Sequence, residues 1–194
     1  MNTMNIEKIK KANTKFLGKN IIYYNEIGST QDVIRKLAEE HVENGSIVIA
    51  DNQVAGKGTK GRTWCTEKEK NITMSFVIYP KCEIKELDGL TINLAKAISE
   101  AIKELYGYNL EIKEPNDLIL KGKKISGILT QSVTLEEKVQ YVLVGIGFNV
   151  NQMEFNEEIS NIATSLKKEF DTEFSREEII IKILEKIEEK LIML

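Results

Sequence analysis

Residues 53–64 read QVAGKGTKGRTW, and what flanks this stretch decides the fold. Three glycines, two lysines and an arginine make it too polar for a core and too rich in glycine for a helix interior, so its backbone is free to bend around an anion. Gly56, Gly58 and Gly61 spell G-x-G-x-x-G, and residues 56–63 nearly spell the P-loop pattern, with Arg62 where that pattern has lysine. Both patterns need a helix to open at the last glycines so that its N-terminal N–H groups face phosphate. Here Thr-Trp-Cys-Thr and a charged run follow, and the next ordered element reads as a strand. Neither pattern fits that setting. A protein-kinase glycine loop does join strands, but V-A-I-K, H-R-D and D-F-G are missing downstream. What is left is a basic hairpin loop that either holds an anion or holds none.

Working outward, residues 47–50 are a continuous apolar, β-branched run that delivers the chain into the loop, and residues 72–79 alternate in strand fashion up to Pro80. The loop therefore joins strand to strand. Upstream, residues 21–24 are β-prone, Glu26-Ile27-Gly28 is turn-like, and Ser29 or Thr30 caps a helix. That helix carries Val33, Ile34, Leu37, Ala38 and Val42 at helical spacing, with Gly45 as its stop signal and His41 in its last turn as a helix-end or surface residue. Residues 1–20 hold a short amphipathic piece with Ile6, Ile9 and Ala12. Downstream, residues 87–106 form the clearest helix, closed by Gly107. Strands are expected over 110–112, 125–133 and 139–150, the last two as a hairpin turning at 134–138, and residues 151–164 read as polar and irregular. Ser175-x-x-Glu178 opens a C-terminal helix through Ile179, Ile180, Ile183, Leu184, Ile187 and Leu191. Strands in succession with few helices predict an α+β fold, a sheet with helices packed on it.

The composition narrows the function classes. With 194 residues, 42% hydrophobic and 29% charged, the chain is expected to form one globular domain with a full core. A net charge of −3 argues against coating nucleic acid or an anionic membrane, so any basic site is local. Cys65 and Cys82 lack metal-ligand spacing and suit a reducing cytosol, and the single histidine excludes a multi-His metal site. No apolar run approaches the roughly 20 residues of a membrane span, and the lysine-rich start has no signal-peptide core. A soluble cytoplasmic protein is expected.

Three further segments accompany the loop. Lys113-Glu114-Pro115-Asn116-Asp117 ends a strand with a turn presenting a cation, a carboxamide and a carboxylate, with Pro115 fixing its own φ. Lys124-Ile-Ser-Gly127-Ile-Leu puts a lysine at a strand entry, and Gly145-Ile-Gly147-Phe-Asn149 puts glycines inside a strand, where they mark a bulge or the close approach of a ligand. Taken singly, each has a plain structural reading as a turn, a solvated charge or a packing accommodation.

In order, the Gly28-Ser29-Thr30 turn, Gln53 with its loop, Asn71, Lys113-x-Pro-Asn-Asp, Lys124-x-x-Gly-Ile-Leu and Gly-x-Gly-x-Asn-Val resemble the catalytic domain of biotin protein ligases. The resemblance runs over most of the chain and implies one catalytic domain over residues 1–194, with the fold of lipoate ligases and class II aminoacyl-tRNA synthetases: a mixed β-sheet backed by helices. It implies activation of biotin by ATP as biotinyl-5′-AMP, then transfer to a lysine of a biotin carboxyl carrier protein, with Mg²⁺ assisting. On that resemblance Ser29, Thr30, Gln31, Gln53, Gly56, Lys57, Gly58, Thr59, Lys124 and Gly127 hold biotin. Arg62, Trp64, Lys113, Asn116, Asp117 and Asn149 hold ATP, Asp117 also meets the metal, and Lys124, Arg62 and Lys57 are the catalytic cations. The chemistry agrees, because a carboxylate must be brought to a polyphosphate and cations must screen the two.

Two positions depart from the family's pattern. The loop is arginine-rich in the family, whereas this chain has Lys57 and Thr59, so weaker retention of the adenylate is expected. Glu114 stands where the family has tryptophan, which sets a carboxylate beside the nucleotide turn. A winged-helix repressor domain and a small C-terminal β-domain are not in the sequence, so no operator binding is expected, and a monomer or homodimer is. The competing readings are a lipoate or octanoate ligase or transferase of the same fold, and a biotin- or adenylate-binding module without ligase activity.

Overall fold

In the computed structural model, which describes residues 3–192, the β-branched runs become strands and the amphipathic runs become helices. The strands are β1 Ile21–Tyr24, β2 Ile47–Ala50, β3 Ile72–Ile78, β4 Glu111–Lys113, β5 Asp117–Leu120, β6 Lys123–Leu135 and β7 Lys138–Phe148. The helices are α1 Ile6–Ile9, α2 Thr30–Glu39, α3 Leu90–Tyr106, α4 Leu166–Phe170 and α5 Arg176–Leu191. Among the described residues the strands form one seven-stranded sheet in the order β1-β2-β3-β7-β6-β5-β4. β1 and β2 are parallel, joined through α2, and every other pair is antiparallel, so the sheet is mixed.

Period-two alternation sends the two faces of each central strand to different layers. On β3, Ile72, Met74, Phe76 and Ile78 face a large core shared with α3 and α5, and on β7 Val142, Val144, Ile146 and Phe148 do the same. Each such fully buried side chain stabilises the fold by ~1.5–3 kcal/mol. The opposite face is covered by α2 only over Val48, Val77 and Leu143, which pack with Ile34 and Ala38. Beyond α2 that face carries Thr73 and Ser75 on β3 and Gly145 and Gly147 on β7. The uncovered, small-residue half of the sheet becomes the floor of the site.

Several expectations need correcting. α2 ends at Glu39, and His41 lies just past it at φ 58°, outside the last turn. The helix stops before Gly45, whose φ of 79° serves the turn into β2 instead, where a Cβ would meet the Phe16 ring at 2.6 Å. α3 begins at Leu90 because Gly89, at φ 80°, interrupts it, and Leu87 belongs to a preceding 3-10 turn. β5 was not foreseen, since its four residues follow directly on a Pro-Asn turn, and α4 lies in the interval before the C-terminal helix. β3 is buried along its whole length rather than alternately exposed. The outermost positions of the expected 1–194 domain, residues 1, 2, 193 and 194, lie outside the described residues.

Candidate active site

Residues 53–64 do join strand to strand, from β2 to β3, and the base of the loop is zipped to the turn before α2. Ile27 N–H donates to Asn52 O at 3.1 Å, Val54 N–H to Ile27 O at 3.0 Å and Ala55 N–H to Gly28 O at 2.9 Å. The loop then folds back on itself, with Trp64 N–H donating to Gly56 O at 2.9 Å and Gly58 N–H to Arg62 O at 2.7 Å around a 3-10 turn at Thr59–Gly61. A Cβ on Gly56 would come within 2.4 Å of Trp64 O, so glycine is what lets the two arms meet. Gly56 thereby sits where the two arms of the loop cross and is not among the lining residues, unlike Gly58, Thr59 and Gly127.

Between this loop, the start of α2 and the bare face of the sheet lies a cavity of ≈ 430 Å³, a volume suited to a small organic ligand. Its lining varies in chemistry. At one end Ser29 caps α2 by accepting from Gln31 N–H at 3.3 Å, and Gln53 Oε1 accepts from Thr30 N–H at 2.7 Å and from Thr30 Oγ1 at 3.0 Å. Thr30 Oγ1 also meets Ser75 Oγ at 2.8 Å. This end is buried, neutral and hydrogen-bonding. Cations also line the cavity, and they are spread around it. Lys124 Nζ lies 2.7 Å from Asp117 Oδ1 and 5.6 Å from the Trp64 ring centroid. Lys57 pairs with Asp32 across the mouth. Arg62 donates to Thr59 Oγ1 at 2.9 Å and to Thr59 O at 3.2 Å.

The floor explains the glycines. The β7 ladder runs through Gly145 and Gly147 without a bulge, and the space above them is taken by protein. A Cβ on Gly147 would meet the Trp64 indole at 2.2 Å, and one on Gly145 would meet Gln31 Oε1 at 2.7 Å. The bulge reading is thus excluded, and the glycines make room for the close approach of Trp64 and Gln31. Trp64 Nε1, Gln31 Oε1 and Asn149 Oδ1 are buried without a hydrogen-bond partner among the described residues, and all three residues line the cavity. Buried polar atoms are ordinarily satisfied, so these three mark where a ligand is expected.

The β4–β5 hairpin supplies the second wall. Asn116 is locked by donating Nδ2 to Ile128 O at 3.1 Å while its own carbonyl accepts from Ile128 N–H at 2.9 Å, which sets Asp117 at the start of β5 facing Lys124. Lys113 lines the opening, whereas Glu114 is exposed and does not line the cavity. Asn149 donates Nδ2 to Thr164 O at 3.0 Å, tying the end of β7 to the segment that follows. That segment, read from sequence only as polar and irregular, closes the cavity with Phe155, Ile159 and Ile162, and Lys124 N–H donates to Ile162 O at 2.7 Å. Its signal was present in three apolar residues spaced four and three apart within an otherwise polar stretch. Ser75, Leu129 and Cys65 also line the cavity and were missed, because a serine or leucine on a strand carries no mark of the face it takes.

Comparisons with known proteins agree with this geometry. The model of the biotin/lipoate A/B protein ligase family matches residues 23–149. The bifunctional ligase/repressor BirA of Bacillus subtilis is 36% identical over 173 residues, covering 88% of this chain and 53% of that protein. The chain therefore spans about half the length of that relative. Among solved structures, the biotin protein ligase of Aquifex aeolicus in complex with biotin and ATP is 36% identical with a TM-score of 0.75, covering 89% of this chain and 70% of that one. The Leishmania major biotin protein ligase in complex with biotinyl-5-AMP is 25% identical with a TM-score of 0.76, covering 90% and 75%. The α+β architecture expected from the sequence, a mixed sheet backed by helices, is the one these proteins share. With the motifs, their order along the sheet and the shape of the cavity all in agreement, the chain belongs to the biotin/lipoate A/B protein ligase family.

Proposed function

We propose that residues 1–194 act as the catalytic unit of an ATP-dependent biotin protein ligase. It activates biotin as biotinyl-5′-AMP and passes biotin to a lysine of a biotin carboxyl carrier protein. The observation that carries this reading is a cavity with a neutral hydrogen-bonding floor at Ser29, Thr30, Gln31 and Gln53 that is also lined by the cations Lys57 at its mouth, Arg62 on the loop and Lys124 beside Trp64. A ligand with a polar, uncharged head and an anionic tail fits that polarity. The relatives described with biotin, ATP and biotinyl-5-AMP support the same assignment.

In the first step a biotin carboxylate oxygen attacks the α-phosphorus of ATP, and the bond from that phosphorus to the bridging oxygen breaks to release pyrophosphate. Both partners are anionic, and Lys57, Arg62 and Lys124 lower the repulsion between them. Lys124 rests on Asp117 at 2.7 Å, which keeps the ammonium in place beside the site before an anion arrives. Thr59 holds the Arg62 guanidinium at the loop tip in the same way. Gly56 and Gly58 let the loop close over the adenylate and keep it from water. Trp64, Lys113, Asn116 and Asn149 form the nucleotide side, with Trp64 offering a π-surface near the adenine. In the second step the carrier lysine amine attacks the acyl carbonyl, AMP leaves with the former P–O–C oxygen, and the amine gives up its proton.

Magnesium would enter with ATP as part of the substrate and would screen its phosphate charge. The described residues offer no group of three or more acidic, histidine or cysteine side chains that could cage a metal, and Asp117 is the one carboxylate assigned to meet it. None of the described helices is long and apolar enough to cross a membrane. A cytoplasmic reaction carried out by a monomer or homodimer is part of the same proposal. Pyrophosphate release from MgATP is expected to depend on biotin and not on lipoate. Release driven by lipoate alone would move the assignment to the other branch of the family, and no release with either would reduce the chain to a binding module.

A further inference from the structure

Gln31 is 4% exposed, and the two ends of its carboxamide have different surroundings. Nε2 donates to Gln131 Oε1 at 3.0 Å. Oε1 has no hydrogen-bond partner among the described residues and lies over Gly145 at the cavity floor. A carboxamide is nearly symmetric and turns over readily unless its neighbours forbid it. Here the neighbour one step further out decides. Gln131 Oε1 also accepts from Arg35 Nη2 at 2.8 Å. A guanidinium only donates, so Gln131 must turn its oxygen toward Arg35. That same oxygen meets Gln31, so Gln31 must meet it with its NH₂ group and present its own oxygen to the cavity.

We propose that Arg35 and Gln131 are positioning residues that set the polarity of the neutral end of the site, holding Gln31 as a hydrogen-bond acceptor so that a bound ligand must bring an N–H. The inference rests on the reading of that ligand as biotin, whose ureido ring carries two N–H donors. The dithiolane ring of lipoate carries none. The neighbouring hydroxyls have the same sign. Thr30 Oγ1 spends its proton on Gln53 Oε1, so its 2.8 Å contact with Ser75 uses the serine proton and leaves Ser75 with free lone pairs. A ligand without a donor leaves Gln31 Oε1 buried and unpaired, a mismatch that disfavours it by roughly 10- to 100-fold. Selection for biotin over lipoate is thereby written three residues deep, from a half-buried arginine on α2 through a glutamine on β6.

The test is calorimetric titration of the full chain with biotin, with ATP, and with each of the two biotin regioisomers methylated on one ureido nitrogen. Gln131→Leu is expected to weaken biotin about tenfold while ATP stays within about twofold. Gln131→Glu keeps an acceptor for both Arg35 and Gln31 and is expected to bind biotin within about twofold of the unsubstituted chain. Arg35→Leu acts in the same direction as Gln131→Leu and replaces it if that variant fails to fold. In the unsubstituted chain one of the two methylations costs at least about tenfold, and in Gln131→Leu the same methylation costs no more than about threefold. Equal losses for biotin and ATP, an equal methylation penalty in both proteins, or a Gln131→Glu variant as weak as Gln131→Leu would reduce the chain of bonds to a tie between α2 and β6. Tight biotin binding that neither methylation disturbs would overturn the polarity argument and leave the ligase reading standing. Failure of the unsubstituted chain to bind biotin would remove both.

Discussion

Trp64 is the chain's single tryptophan, so its fluorescence reports directly on the floor of the cavity. Gly147→Ala would drive a methyl to within 2.2 Å of the indole, and the ring has to leave. The expected result is a red-shifted emission with the fold retained and adenylate formation reduced roughly 10²-fold; unchanged emission would show that Trp64 does not rest there. Lys124 is the cation nearest the floor, and Lys124→Ala is expected to lower biotin-dependent pyrophosphate release by about 10²–10³-fold at unchanged circular dichroism. Turnover that survives the change would remove Lys124 from the chemistry. Thr59 supplies hydrogen-bond acceptors to Arg62 but no charge. Thr59→Arg is expected to slow release of biotinyl-AMP about tenfold, and indistinguishable release rates would dispose of the idea that the threonine weakens retention. These residues were legible in the sequence because their motifs occur in order. Gln131 and Arg35 were not, since nothing in one dimension says that residues 31, 35 and 131 share one carbonyl oxygen.

At the scale of elements, α5 organises both the loop and the N-terminal segment. The Arg176 guanidinium is buried and donates to Asp51 Oδ1 at 2.6 Å and to Asn71 O at 3.3 Å, so one residue pins the chain on both sides of the glycine loop. The other Asp51 oxygen accepts from the Tyr23 hydroxyl, and burial, then that bond, push the Tyr23 phenol above its ordinary range. Glu188, 4% exposed, accepts backbone N–H bonds from Lys15, Phe16 and Leu17 at 2.5, 2.9 and 2.9 Å. Burial pushes its carboxyl up, but the three N–H donors outweigh that and hold it below the usual carboxylate range. Because the folded value is the lower one, this stabilisation is complete above the unfolded value of about 4.3 and is lost as pH falls through the folded value. Glu188→Gln is expected to cost ~1–3 kcal/mol at pH 7 and to flatten the acid limb of a melting-temperature profile; an unaltered limb would mean that the carboxylate is not the linked group. The Ser175-x-x-Glu178 pattern announced where α5 begins, with Ser175 Oγ accepting from Glu178 N–H at 3.3 Å, and helical periodicity found its apolar face. Nothing in the sequence marked Arg176, because a tie across more than a hundred positions leaves no local trace.

For the whole molecule, the sheet divides the labour between its faces. Alternation on β3 and β7 placed Phe76 and Phe148 in the helical core, where truncation of either to alanine is a change of the kind that costs ~3–5 kcal/mol. The same alternation left Ser75, Gly145 and Gly147 on the face that α2 only half covers. The succession of long strands and the α+β class were readable in the sequence, since long periodic segments carry their own signal. The four-residue β5 and the wall formed by Phe155, Ile159 and Ile162 were not, because short pieces take their form from what they pack against. The central claim is that this half-covered face assembles biotin, ATP and a carrier lysine. It is tested most directly by intact-mass spectrometry of a biotin carboxyl carrier domain incubated with the protein, biotin and MgATP. The account predicts the gain of one biotinyl group on one lysine, absent without ATP and absent with Lys124→Ala. A carrier whose mass stays unchanged in the complete mixture would contradict it.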